Sequence, residues 1–194
     1  MERTFEYVAM PPILPRDKAY HKWSEKEAKS YYFWYIQYKD ARIHNMAEML
    51  NFQADYTSGS LVDLWQKIID TFSAYEKGLY EESVFDSLIR CAGIYLAETL
   101  HRNNPSIVWS CYIGGVKKEH KNRPVLLGFY QGDPPIPAYY EPESHIYELS
   151  RSLYRHNAKA DDLIALYRFW ERLNPCGLCH KGDGVRGTGC QGDD

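Results

Sequence analysis

The chain has 194 residues, an apolar share of 44% and a formal net charge of −3, from 23 Lys and Arg against 26 Asp and Glu. That balance fits one soluble globular domain with a sizeable core, and it argues against a surface built mainly to grip nucleic acid or anionic lipid, either of which requires a surplus of positive charge. No apolar run reaches the roughly 18 residues of a membrane-spanning helix. The opening stretch MERTFEYVAMPPILPRDK also lacks the basic start and apolar centre of a secretory signal.

Residues 1–23, with Pro11, Pro12 and Pro15 and no sustained period, read as an extended arm whose Phe5, Tyr7, Val8, Ile13 and Leu14 rest on the body. The globular domain then spans 24–174. A helix starts at Ser24-Glu25-Lys26-Glu27, where Ser24 and Glu27 are spaced to satisfy each other's backbone N–H groups. It runs to about Leu50 without Gly or Pro, with Ala28, Tyr31, Tyr32, Tyr35, Tyr38 and Arg42 along one side. A turn cluster at Tyr56–Ser60 precedes a second capped start, Ser60-x-x-Asp63. Leu61, Leu64, Trp65, Ile68, Ile69 and Phe72 then recur at helical steps towards Gly78. Leu88, Cys91, Ala92, Tyr95, Leu96, Thr99 and Leu100 form a third helical stripe, stopped by Asn103-Asn104-Pro105.

The period then changes from about 3.6 to 2. Residues 107–113 and 125–130 predict two short strands of an antiparallel hairpin, joined by a solvated loop with the basic run Lys117–Arg123. The proline-rich stretch Pro134–Pro142 reads as a connection. Beyond it Ile146, Leu149, Ser150 and Leu153 mark one helix, and Leu163, Leu166, Tyr167, Trp170 and Leu173 another. The expected fold is therefore α+β and predominantly α: about five helices with a two-stranded hairpin, followed by a Gly/Cys-rich tail over 175–194.

The tail carries the strongest chemical signal. Cys176-Gly177-Leu178-Cys179 has the spacing at which two thiolates bind one metal, and His180 and Cys190 complete a set of zinc ligands. The end of the chain, CGLCHKGDGVRGTGCQGDD, resembles half of the cysteine-rich zinc module of DnaJ-type chaperones, with one residue too many after Cys179 and one cysteine too few. A flexible thiol-bearing tail is the alternative. Cys176-x-x-Cys179-His180 also matches the attachment motif of c-type haem, a reading disfavoured because that attachment requires export. An odd count of five cysteines without a signal segment points to a reducing cytoplasm.

Other candidates have simpler readings. Glu98-x-x-His101 has the carboxylate–imidazole spacing of di-iron bundles, but no second copy exists and Glu98 lies off the apolar stripe, which favours solvent exposure or a local ion pair. If the chain is an enzyme, Glu98, His101 and Glu148 are the acid–base candidates. No nucleophile elbow, zincin motif or phosphate-binding loop is present in the sequence. Aromatics are abundant, with 17 Tyr, 7 Phe and 5 Trp. They suit either a core or a recognition surface.

Taken together, SEKEAKSYYFWYIQYKDARI, SGSLVDLW, GIYLAETL, NNPSIVW and RPVLLGF resemble a family of small, uncharacterised bacterial proteins over about residues 24–130. Ala97 stands where that pattern has a glycine, and Glu98 matches its acidic position. The resemblance implies a compact bacterial domain and no activity; by association of kind it suggests an immunity or antitoxin-type binder whose partner is another protein, while the charge balance and the lack of a long apolar run speak against nucleic acid and membrane as partners. The alternative is a zinc-binding accessory or regulatory protein acting through the cysteine tail.

Overall fold

The computed structural model describes residues 19–113, 121–132 and 136–173. Helices α1 (Glu25–Leu50), α2 (Ser58–Glu76) and α3 (Glu82–Asn103) come first. Strands β1 (Val108–Cys111), β2 (Pro124–Gln131) and β3 (Ile136–Tyr140) follow, then helices α4 (Pro142–Tyr154) and α5 (Asp162–Arg172). Among the described residues no helix is long and apolar enough to cross a membrane.

Local chemistry sets the helix starts. The reciprocal box at α1 is formed: Glu27 N–H donates to Ser24 Oγ, and Ser24 N–H donates to Glu27 Oε2 at 2.5 Å. The cap of α2 lies earlier than the sequence pattern suggests. Asp55 fixes Thr57 by accepting from its N–H and hydroxyl, and Thr57 Oγ1 accepts from Ser60 N–H at 3.2 Å. Ser60 instead sits inside the helix with its hydroxyl 2.5 Å from that of Tyr95. A helix carrying Ser or Thr at several adjacent positions has several possible caps, and the loop before it selects one.

Helix α3 is central. Its residues Cys91 to Leu100 are all buried, with α1, α2, α4 and α5 packed around it. Gly93 permits the closest of these approaches, since a Cβ there would stand 2.7 Å from Pro142 O and 2.9 Å from Ile146 Cγ2.

The sheet has three antiparallel strands in the order β1-β2-β3, so the expected two-stranded hairpin is corrected to a larger sheet. The added strand lies inside the proline-rich stretch that reads as a connection. Proline is tolerated there because β3 is an edge strand, and the Pro137–Tyr130 pair needs no donor on its outer side. Between Leu126 and Phe129 the register with β3 shifts by one residue. Gly128 sits at this bulge with φ +106°, and a Cβ on it would meet Ser106 O at 2.5 Å. The bulge returns Phe129 to the inner face, so Leu126, Phe129 and Tyr140 all point into the core.

Candidate functional site

Three polar groupings lie inside or at the edge of this aromatic core. The first centres on Glu98 of α3, which is 3% exposed. Its carboxylate accepts from Arg102 Nε at 2.9 Å and Trp109 Nε1 at 3.1 Å, and pairs with Lys39 Nζ at 2.9 Å. It thereby ties α3 to α1 and β1. Burial raises its pKa, but the hydrogen bonds from Lys39, Arg102 and Trp109 outweigh this and hold the carboxyl below its ordinary value. The expected solvent exposure of Glu98 is thus wrong, and its ion pairing is right. His101 faces elsewhere, donating from Nδ1 to Ile107 O at 2.6 Å. Glu98 and His101 are therefore each committed to separate structural contacts.

The second grouping surrounds the start of α4. Glu141 caps that helix, accepting from Glu143 N–H at 3.2 Å and Ser144 N–H at 2.7 Å, with Arg123 Nη1 at 3.4 Å. Arg123 lies over the Tyr20 ring at 4.5 Å, and Asn122 donates to both Tyr20 O and Trp23 O, fastening the turn before α1 onto β2. Burial, reinforced by the Glu143 charge, pushes Glu141 above the usual carboxylate range. Glu143 itself accepts from Tyr31 Oη at 3.3 Å and Arg90 Nη1 at 3.2 Å. Arg90 also holds Asp86, which accepts from Tyr147 Oη. These contacts bind α1, α3 and α4 into one unit.

Arg42 forms the third grouping. It extends from α1 with its guanidinium carbon 5.5 Å from the centre of the Tyr35 ring and 5.9 Å from that of Trp34, and its charge reaches the Cys91 thiol on α3. Burial pushes the Cys91 thiol up, and the guanidinium pulls it part of the way back. The signal for Arg42 was present in the sequence, as a cation on an otherwise aromatic stripe. That for Glu141 and Glu143 was the Glu-Pro-Glu run at a helix start.

The outer face of the sheet is different in kind. By alternation and register Val108, Leu127, Tyr130 and Pro137 point away from the helices. Val108 and Leu127 are a cross-strand pair, and the exposures of Val108, Leu127 and Tyr130 are 47%, 36% and 41%. At the other end of this face Tyr112 and Tyr139 bring their rings to 4.4 Å across β2, and Val125 on the same outward row is fully buried.

Comparison with protein-family models, with curated proteins and with solved structures gives no match.

The remaining sequence candidates divide simply. Cys176, Cys179, His180 and Cys190 lie outside the described residues, as does most of the N-terminal arm. Among the described residues no group of three or more His, Cys, Asp or Glu side chains is placed to hold a metal. Glu148 is exposed and pairs with Arg151 at 2.7 Å. Most aromatic residues serve the core: Trp23, Trp34, Trp65 and Trp170 are buried and Trp109 is half-buried. The abundance of Trp is therefore spent on packing, while Tyr130, Tyr154 and Tyr80 stay exposed.

Proposed function

We propose that this chain works in the cytoplasm as a binding module for another protein, of the immunity or antitoxin kind, and acts by contact rather than by catalysis. The observation that supports the reading is the open end of the outer sheet face, where Val108, Leu127 and Tyr130 stand exposed side by side. Each square ångström of apolar surface held in water costs about 25 cal/mol, and covering it with a partner recovers that cost. The strands hold these side chains in fixed register, so little conformational freedom is lost on contact. The resemblance of residues 24–130 to small bacterial proteins adds the association with immunity-type binders.

The test is capture of partners from native cells by the tagged full-length chain and by the double variant Val108→Glu/Leu127→Glu. Both positions are exposed, so the variant keeps its stability within about 1 kcal/mol. A stoichiometric protein partner that is lost from the variant bears out the reading. Equal capture by both chains, or no stoichiometric partner, refutes it.

A second reading is favoured by the Cys176-x-x-Cys179 spacing: a zinc-binding accessory protein using Cys176, Cys179, Cys190 and His180. Untagged protein should then carry about one zinc per chain, since a closed structural site holds its metal through purification. Less than about half an equivalent counts against it.

A further inference from the structure

The groove beside the last turns of α1 has a fixed shape and an uneven chemistry. Asn51 ends that helix in the left-handed conformation, at φ +47°, and Phe52 N–H donates back to Ala47 O at 2.8 Å. The chain therefore returns alongside α1 as far as Tyr56, which is also left-handed at φ +60°. Tyr56 is held at both of its backbone polar groups: its N–H donates to Tyr95 Oη at 2.8 Å, and its carbonyl accepts from Asn103 Nδ2 at 3.0 Å. Between the helix and the returning chain lies a cavity of about 760 Å³, which the small side chains of Ala47 and Ala54 leave open.

Its floor is apolar and its rim acidic. The buried Ile43 and Phe52 line the floor, and Asp40 and Glu48, with side chains 64% and 69% exposed, stand at the rim. Their separation in sequence sets them about 12 Å apart along the helix axis. Asp40 shares its charge with Lys39 and Arg102, whereas Glu48 pairs with His44, which is charged only when protonated. The described residues that line the groove include no Lys or Arg. The last turn of α1, where the helix dipole is negative, holds no basic residue either. Negative potential thus gathers at the Glu48 end, above an apolar trough.

We infer that this groove receives a basic side chain, arginine or lysine, from a protein partner. Such a side chain carries an apolar stem as well as a charge, so the stem lies on Ile43 and Phe52 while the head reaches Glu48. An acidic side chain would meet Glu48 and the helix end with the wrong sign, and a wholly apolar one would leave the rim unused. The pinned loop needs no rearrangement, which keeps the ordering cost of contact low. The inference rests on the reading of the chain as a protein-binding module but uses no residue of the sheet, so either surface can fail without the other.

The test titrates the full chain with the capped peptide Ac-Ala-Arg-Ala-NH2 and follows the backbone amide signals of the protein by NMR. The shifts should saturate, with half-saturation on the order of millimolar for one inserted side chain, and should centre on residues 43–56. The same peptide with glutamate or norleucine in place of arginine should bind at least about five-fold more weakly. Glu48→Lys, at an exposed position, should weaken binding of the arginine peptide by at least about ten-fold, and Ala54→Leu, which fills the trough, by as much. Shifts that do not saturate, that centre elsewhere, or that are equal for either control peptide overturn the inference. So does binding that is unchanged in both variants. If the signals of residues 43–56 move on dilution of the chain alone, a second copy occupies the groove and the inference fails. Should Ala54→Leu not fold, Glu48→Lys decides the matter.

Discussion

Replacing Glu98 by Gln keeps the shape of a buried side chain and deletes its charge. In the native chain that charge faces Lys39 and Arg102, both at 2.9 Å. Removing one partner of a buried ion pair costs about 3–5 kcal/mol, because the other charge is left without compensation. Here the two cations differ. Arg102 is 44% exposed and regains water, whereas Lys39 is 12% exposed and does not. The expected loss is therefore smaller, about 2–3 kcal/mol, or about 5–10 °C in Tm for a chain of this size. The pH dependence is the sharper test. The folded-state pKa of Glu98 is lowered, so the folded chain binds fewer protons there than the unfolded chain does. Its contribution is full above the ordinary carboxyl value of 4.5 and is lost as pH falls below it. Glu141, whose pKa is raised, has the opposite sign, but it is present in both proteins and cancels in the difference. Urea unfolding followed by tryptophan fluorescence, at about pH 7 and about pH 4, reads the difference directly. A loss below about 0.5 kcal/mol at neutral pH, the scatter of surface substitutions, refutes the reasoning. So does a loss that does not shrink in acid.

Further outcomes follow from the packing. Gly93→Ala forces a Cβ to within 2.7 Å of Pro142 O. Overpacking of about 1–3 kcal/mol, less about 1 kcal/mol of improved helix propensity, leaves a net destabilisation of up to about 2 kcal/mol in urea unfolding. A stabilised variant would show that α4 yields easily. Tyr95→Phe removes a hydroxyl bonded to both Ser60 Oγ and Tyr56 N–H, and should cost about 1–2 kcal/mol. Tyr140→Phe removes a buried hydroxyl with no partner and should be neutral or stabilising in the same experiment. Equal losses for the pair would contradict the assignment of their hydrogen bonds. Ser24→Ala breaks the capping box of α1 and should lower stability by about 1 kcal/mol.

Much of the helical framework was legible because its signals are local. Ser24 and Glu27 lie three residues apart and act within one turn. The Leu88–Leu100 stripe repeats at the helical period, and the change of period after Asn104 marks the first strand. The third strand was not legible. Ile136–Tyr140 is short, contains Pro137, and becomes a strand because Leu126, Phe129 and Tyr130 offer it a neighbouring edge. The start of α2 passed from Ser60 to Thr57 for a comparable reason, since Tyr95 claims the Ser60 hydroxyl from another helix.

The polar interior divides in the same way. Composition and periodicity alone determined that this chain is a mostly helical domain whose aromatic residues fill helix faces, because each follows from residues within one or two turns. Only the tertiary structure decided that Glu98 is buried between Lys39 and Trp109, that Glu141 holds Arg123, and that the Arg42 guanidinium lies over the Tyr35 ring. It likewise decided which strand residues face water. An ionisable group takes its role from its distance to other charges and to solvent, and those distances are set by segments far apart in the chain.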